Sequence, residues 1–155
     1  MIPQHGPIEL CIFTIEGRKM ALPLASVAEI VSDIPVTPVP KSHSSILGLV
    51  NLRGKLFLLL NLKSFLFATH SDESHSKQLI FFKGDIGENF GVAVEKVQNI
   101  LTMTVEEIEK AEQGKELNTS VSIEDCIWGT FSNHGEQIAL LEPERILDRL
   151  PDRPA

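Results

Sequence analysis

The strongest constraint on the fold is that the chain repeats itself. ALPLASVAEI at 21–30 aligns with GVAVEKVQNI at 91–100, at an offset of 70. Leu22, Leu24, Val27 and Ile30 then meet Val92, Val94, Val97 and Ile100, all apolar at the same spacing. A second match follows in order, between ILGLVNLRGKLFLLLNLKSFL (46–66) and the stretch from Ile127, at an offset of 81. It places Gly48 on Gly129, Gly54 on Gly135 and Arg53 on His134. The difference between the two offsets is the length of TVEEIEKAEQG (104–114). Two matches in order, sharing glycines at both ends of a hairpin strand, mark two copies of one structural unit.

Each copy reads as short strands joined by tight turns. IELCIFTI (8–15) and MALPL (20–24) form a hairpin across EGRK. ASVAEIV (25–31) starts with one helical turn and continues as a strand, and Pro35, Pro38 and Pro40 then break regular structure. LGLVNL (47–52) and KLFLLLNL (55–62) form a second hairpin across Arg53-Gly54, and KSFLF (63–67) reads as a short helix. QLIFFKG and NFGVAVEKVQNIL form a further strand–turn–strand unit. Thr104 with Glu107 three positions on is a capping box, which predicts a helix over 104–114. CIWGTF and EQIALLE flank SNHG as a last hairpin, and PERILDRL (143–150) begins a C-terminal helix with Pro at its first position.

The expected architecture is mainly β, with two pseudo-repeated barrels of about five strands and a few short helices. The 155 residues form one domain. The first barrel spans mainly 16–67 and the second mainly 78–142, with the terminal segments crossing between them. Two barrels side by side leave a groove, a natural binding site.

Several function classes are disfavoured. The apolar run at 46–66 is the only candidate membrane span, and Asn51, Arg53 and Lys55 fall near its centre. A central Arg costs about 2.5–3.5 kcal/mol on insertion scales, so two strands and a turn explain the run better. The opening MIPQHGPIEL lacks the basic and apolar regions of a secretory signal. A net charge of −7 opposes nucleic-acid binding, and one Trp with no Tyr makes a thin stacking platform for bases. Cys11 and Cys126 read as reduced core thiols of a cytosolic protein. His70, Asp72, Glu73 and His75 could be taken for a metal site, but polar loops collect such residues without binding anything. No metal or cofactor is expected. No phosphate loop, HExxH or GxSxG is present, so no catalytic residue is assigned. The reading from another class is a small enzyme built on Cys126 or His134.

Three charged residues interrupt apolar segments. Glu29 and Glu95 either face solvent by strand alternation or anchor a partner on an apolar face. Arg53 either sits at a turn in water or docks a partner through its planar fork, and the residues alone leave these even. Its counterpart in the second copy is His134, so the turn is shared while Arg belongs to the first copy alone.

VAEI (27–30), the prolines at 38 and 40, and GLVNLRG (48–54) resemble the CheW family. FGVAVEKV (90–97), ILTMTVEEI (100–108) and WGTFSNHG (128–135) resemble its second barrel, so the resemblance covers about residues 8 to 150. The resemblance implies SH3-like barrels and a non-catalytic cytoplasmic adaptor at a chemoreceptor array, without membrane insertion. The implied partners are the regulatory domain of a CheA-type histidine kinase, on a face of the first barrel, and a chemoreceptor's helical tip, in the groove. A coupling protein of a pilus- or gliding-motility pathway is the alternative. The positions that match the family's motif are Val27, Glu29, Gly48, Asn51, Leu52, Arg53 and Gly54, with Val94 and Val97 near the groove. The chain departs from the pattern at His43, Ser45, Leu58, Asn61 and Glu95, and at the late Leu-Asp pair, which reads Leu141-Glu142.

Overall fold

Short β-rich runs, some alternating apolar with polar residues and others continuously apolar, make strands of most of the chain. The computed structural model describes residues 2–32, 34–40, 44–67, 78–86, 89–111 and 123–149. His43 and the loop 68–77, with His70, Asp72, Glu73 and His75, lie outside the described residues. The strands are β1 (Pro7–Ile15), β2 (Arg18–Pro23), β3 (Val27–Ser32), β4 (Ile46–Leu52), β5 (Lys55–Asn61) and β6 (Gln78–Phe82). They continue as β7 (Phe90–Val94), β8 (Lys96–Thr104), β9 (Glu109–Lys110), β10 (Ile127–Asn133) and β11 (Glu136–Leu141). Two short helices, α1 (Leu62–Phe67) and α2 (Pro143–Asp148), follow β5 and β11.

The strands form a six-stranded sheet, β8-β1-β2-β11-β10-β9, and a five-stranded sheet, β3-β6-β7-β5-β4. The second order repeats the first five strands of the first, leaving β9 without a counterpart, and the register repeats with it. β2 pairs in parallel with β11 through Met20–Ala139 and Ala21–Leu140. β7 pairs in parallel with β5 through Phe90–Leu58 and Gly91–Leu59, the same contacts displaced by the two repeat offsets. The bulge between Ile46 and Gly48 reappears between Ile127 and Gly129. Each copy is also divided between the sheets. The first gives β1 and β2 to the six-stranded sheet and β3 to β5 to the other, and the second copy does the reverse. Among the described residues neither sheet closes on itself.

Local chemistry explains the tight connections. Arg53-Gly54 and His134-Gly135 both have positive φ at each residue, as a two-residue type I′ hairpin requires. Glu16-Gly17 makes a third turn of the same kind. The Asn51 side chain fixes the first of these pairs by accepting the Gly54 N–H at 3.0 Å. At Gly48 the backbone of Thr37 crosses so closely that an added Cβ would sit 2.3 Å from the Thr37 carbonyl oxygen. Its counterpart Gly129 is crossed in the same way by Glu109, at 2.7 Å.

One core cluster joins the sheets. Cys11, Phe13 and Leu22 of one meet Leu60, Ile80 and Val92 of the other, with Phe65 of α1 and Ile146 of α2 covering the ends. Burying a side chain of this size stabilises the fold by about 1.5–3 kcal/mol. Asn61 opens α1 by accepting the Ser64 N–H at 3.4 Å. Pro143 stands at the first turn of α2, as expected.

Among the described residues, the helix expected over 104–114 does not form as such. Glu107 does reach back to the Thr104 N–H and hydroxyl, at 3.1 and 2.8 Å, but the helix is a single 3-10 turn, Val105–Glu107. Glu109 and Lys110 then pair with Thr130 and Gly129 as β9. Val105 and Ile108 are both buried, and a partner strand takes the backbone bonds a longer helix would need. No helix among the described residues is long and apolar enough to cross a membrane.

Candidate functional site

The residues singled out in the sequence gather on the five-stranded sheet and at the crossing between the sheets. β3 and β4 are its opposite edges, yet Glu29 of β3 and Arg53 of the β4–β5 turn meet. Arg53 Nη1 lies 2.9 Å from Glu29 Oε1. The Arg53 side chain is 80% exposed and that of Glu29 is 26% exposed. The guanidinium is therefore held by one carboxylate while most of its fork still faces water. The sheet curls enough to bring its edges together, and a side-chain pair spans them where no backbone ladder does. Thr37 and Leu49 add one isolated bridge beside β4.

The other candidates divide by burial. Asn51 and Gly54 are exposed and Leu52 is half-buried, next to Arg53. Val27 and Val97, repeat counterparts on β3 and β8, are half-buried and pack on the shared core. Val94 is only 2% exposed and lies within that core. Gly48 is buried beneath the crossing backbone of Thr37. These last two shape the surface from below.

Three exposed apolar residues complete the picture, and sequence reasoning did not single them out as surface. Ile30 on β3 is 36% exposed, Ile100 on β8 is 46% exposed, and Leu56 on β5 is 59% exposed. Ile30 and Ile100 are the last pair of the first repeat match, so the alignment held the signal. Leu56 pairs across from Asn51, beside the Arg53-Gly54 turn. Its counterpart at an offset of 81 is the polar Gln137. One turn thus carries Arg and Leu, and the matching turn carries His134 and Gln137.

Between β3 and β8 the Gln78 side chain bridges the sheets. Its Oε1 accepts the Val97 N–H and its Nε2 donates to Ser32 Oγ at 3.4 Å. Glu95, between β7 and β8, turns its carboxylate to backbone donors. It accepts the Glu16 N–H at 2.8 Å and the Gly17 N–H at 3.4 Å.

The cysteines offer no nucleophile. Both are free and buried. Burial pushes the Cys126 thiol up to about 12, outweighing the downward pull of Arg149 and Arg145, with Asp125 adding to the rise. Burial raises Cys11 as well. Burial of this kind keeps a thiol protonated near neutral pH and makes it a poor nucleophile. His134 stands exposed on its turn.

This arrangement of two matched sheets has relatives. The profile of the CheW-like domain matches residues 9–150. The chemotaxis protein CheW of Bacillus subtilis is 26% identical over 148 residues, covering 94% of each chain. That of Thermotoga maritima is 22% identical over 142 residues, covering 92% of this chain and 89% of the other. Among solved structures, the scaffolding protein TtCheW of Thermoanaerobacter tengcongensis superposes with a TM-score of 0.73 at 21% identity. The match covers 88% of this chain and 89% of that one, and it shows the fold. With its strand order, its internal repeat and nearly its whole length under the family profile, the chain belongs to the CheW-like domain family.

Proposed function

We propose that the protein is a non-catalytic adaptor that couples a chemoreceptor to a CheA-type histidine kinase on the cytoplasmic side of a receptor array. The carrying observation is the asymmetry between the matched turns. Arg53, held by Glu29 and flanked by Leu56, makes a mixed apolar and cationic patch, and the second turn has no such patch. Arg is enriched among the few residues that carry most of the binding energy at protein interfaces. On this reading the patch, with Asn51, Leu52 and Gly54, docks the kinase's regulatory domain.

The receptor tip would lie along β3 and β8, where Ile30 and Ile100 project beside Val27 and Val97. An amphipathic helix needs apolar anchors of this kind on both walls of its groove. The five-stranded sheet, whose edges meet through Glu29 and Arg53, then corresponds to one SH3-like barrel and the six-stranded sheet to the other.

The test is a pull-down of a CheA-type regulatory domain and a chemoreceptor cytoplasmic fragment. Arg53→Ala and Leu56→Ser are expected to release the kinase domain, and Ile30→Ser with Ile100→Ser to release the receptor fragment. All four should keep a native melting curve within a few degrees. Retention of both partners by all four variants would refute the assignment.

A further inference from the structure

The chain crosses between its sheets at repeat-equivalent places that are secured differently. After β2 it passes through a 3-10 turn, Leu24–Ser26, into β3. After β7 it passes through a single residue, Glu95, into β8. One residue offers two soft dihedrals, so a crossing this short is a pivot unless something fixes it. Glu95 is fixed from both ends. Its backbone N–H donates to the Thr14 carbonyl at 3.2 Å, and its carboxylate takes the N–H groups of Glu16 and Gly17. The turn it holds is braced in its own right. The Glu16 carboxylate lies 3.2 Å from Lys63 Nζ on α1, and the Arg18 guanidinium lies 5.1 Å from the centre of the Phe67 ring at the end of α1.

At the matching crossing the counterpart of Glu95 is Ala25. No side chain of that size fills the place. A groove of about 480 Å³ opens there, with Pro23, Leu24, Ala25 and Lys83 among its lining residues. One crossing is locked by a carboxylate; the other lacks such a side chain and is held by backbone bonds, among them Lys83 N–H to the Ser26 carbonyl at 3.0 Å.

We propose that Glu95 is a positioning residue. By tying the β7–β8 crossing to the Glu16-Gly17 turn and so to α1, it sets the pose of β8 against β3. It thereby sets the spacing between the Val27–Ile30 wall and the Val97–Ile100 wall. The link to binding rests on the docking reading above; the geometric part does not.

The experiment separates the two. Ala28→Cys and Gln98→Cys place spin labels at exposed, repeat-equivalent sites on β3 and β8, and the native thiols are buried and escape labelling. Pulsed electron resonance then reads the distance between β3 and β8 in Glu95→Gln and Glu95→Ala. Lys19→Ala serves as the control, because it removes a 3.0 Å surface pair with Glu136 on the same sheet without touching the crossing. In both Glu95 variants the distribution should broaden and its mean shift by about 2 Å. The affinity for the receptor fragment should fall about tenfold. The control should change neither. If Glu95→Ala does not fold, Glu95→Gln decides, since it keeps the side-chain shape and one acceptor oxygen. An unchanged distance in the folded variants overturns the proposal, and a broadened distance with native affinity overturns its link to binding. A broadened distance in a chain that binds no receptor fragment even with Glu95 intact upholds the positioning role and refutes the docking reading instead.

Discussion

The five-stranded and six-stranded sheets share strand order, turn type and bulge positions, yet their edges are treated differently. In the first, Glu29 and Arg53 draw the outer strands together at 2.9 Å. In the second, the equivalent residues are Asn99 and His134, and Asn99 carries no charge to pair. That sheet is instead lengthened by β9, which hydrogen-bonds to Gly129 and Thr130. The lesson is that duplication preserved what the backbone requires and released what it does not. Positive-φ turns and the glycines under a crossing strand persist because side chains there would clash or strain. Exposed side chains diverged, and it is they that give the two turns different surfaces.

Substitutions at matched positions test this contrast, and the glycines should give the largest effect. Gly48→Ala places a Cβ against the Thr37 carbonyl at a φ of +151°, and about 3 kcal/mol of stability should be lost. Gly129→Ala meets Glu109 at 2.7 Å without that backbone strain, and should cost about 2 kcal/mol. Urea unfolding of both variants decides, and equal losses would mean that backbone conformation adds nothing at Gly48.

Next comes the charge. Arg53→Ala should lower kinase-domain affinity about tenfold by calorimetry while costing under about 1 kcal/mol of stability, since the Arg53 side of the pair is 80% exposed. His134→Ala should change neither quantity, and a comparable binding loss there would erase the proposed difference between the turns.

A smaller effect concerns the turns as turns. Asn accepts positive φ better than Arg or His, so His134→Asn should stabilise by about 0.5 kcal/mol. Arg53→Asn should gain less in the same melting experiment, because it also gives up the pair with Glu29.

The least effect lies at the N-terminal end of β1. The Gly6 N–H donates to Glu106 at 3.0 Å and holds that carboxyl below its ordinary value of 4.5, with His5 adding a smaller pull. A depressed folded value stabilises above the unfolded value and is lost as pH falls through the folded one. The Gly6 amide resonance should therefore shift below pH 4.5 while the Gly135 amide stays in place. Glu106→Gln should abolish the shift.

Much of this is legible in the residues. The repeat at offsets of 70 and 81 reproduces the strand pairing, and the glycines identify the turns, because local chemistry dictates both. Arg53 reads correctly as a turn residue rather than as part of a membrane span. Other features depend on what lies far off in the chain. Val105 to Lys110 read as helix because the capping box is local, whereas Gly129 of β10, the partner that claims Lys110, lies beyond the whole segment 112–122. Glu95 reads as a solvent-facing or partner-facing residue, and the N–H groups it accepts stand 79 and 78 residues earlier. Gln78 draws no attention at the edge of a polar loop, and only the fold sets it between the sheets. Ile30 and Ile100 align as apolar, but alternation does not reveal which face a second sheet will cover.

The division of each copy between two sheets also bears on how the chain is made. β2 borders on β11, so Met20 waits for Ala139 to leave the ribosome. At a synthesis rate of about 5–20 residues per second, that delay is roughly ten seconds. Throughout it the β1–β2 hairpin carries a bare strand edge, the kind of surface that pairs with the wrong partner. The newborn protein thus depends on β11 to cover the β1–β2 hairpin, and a product that stops short of Glu136 keeps that edge exposed.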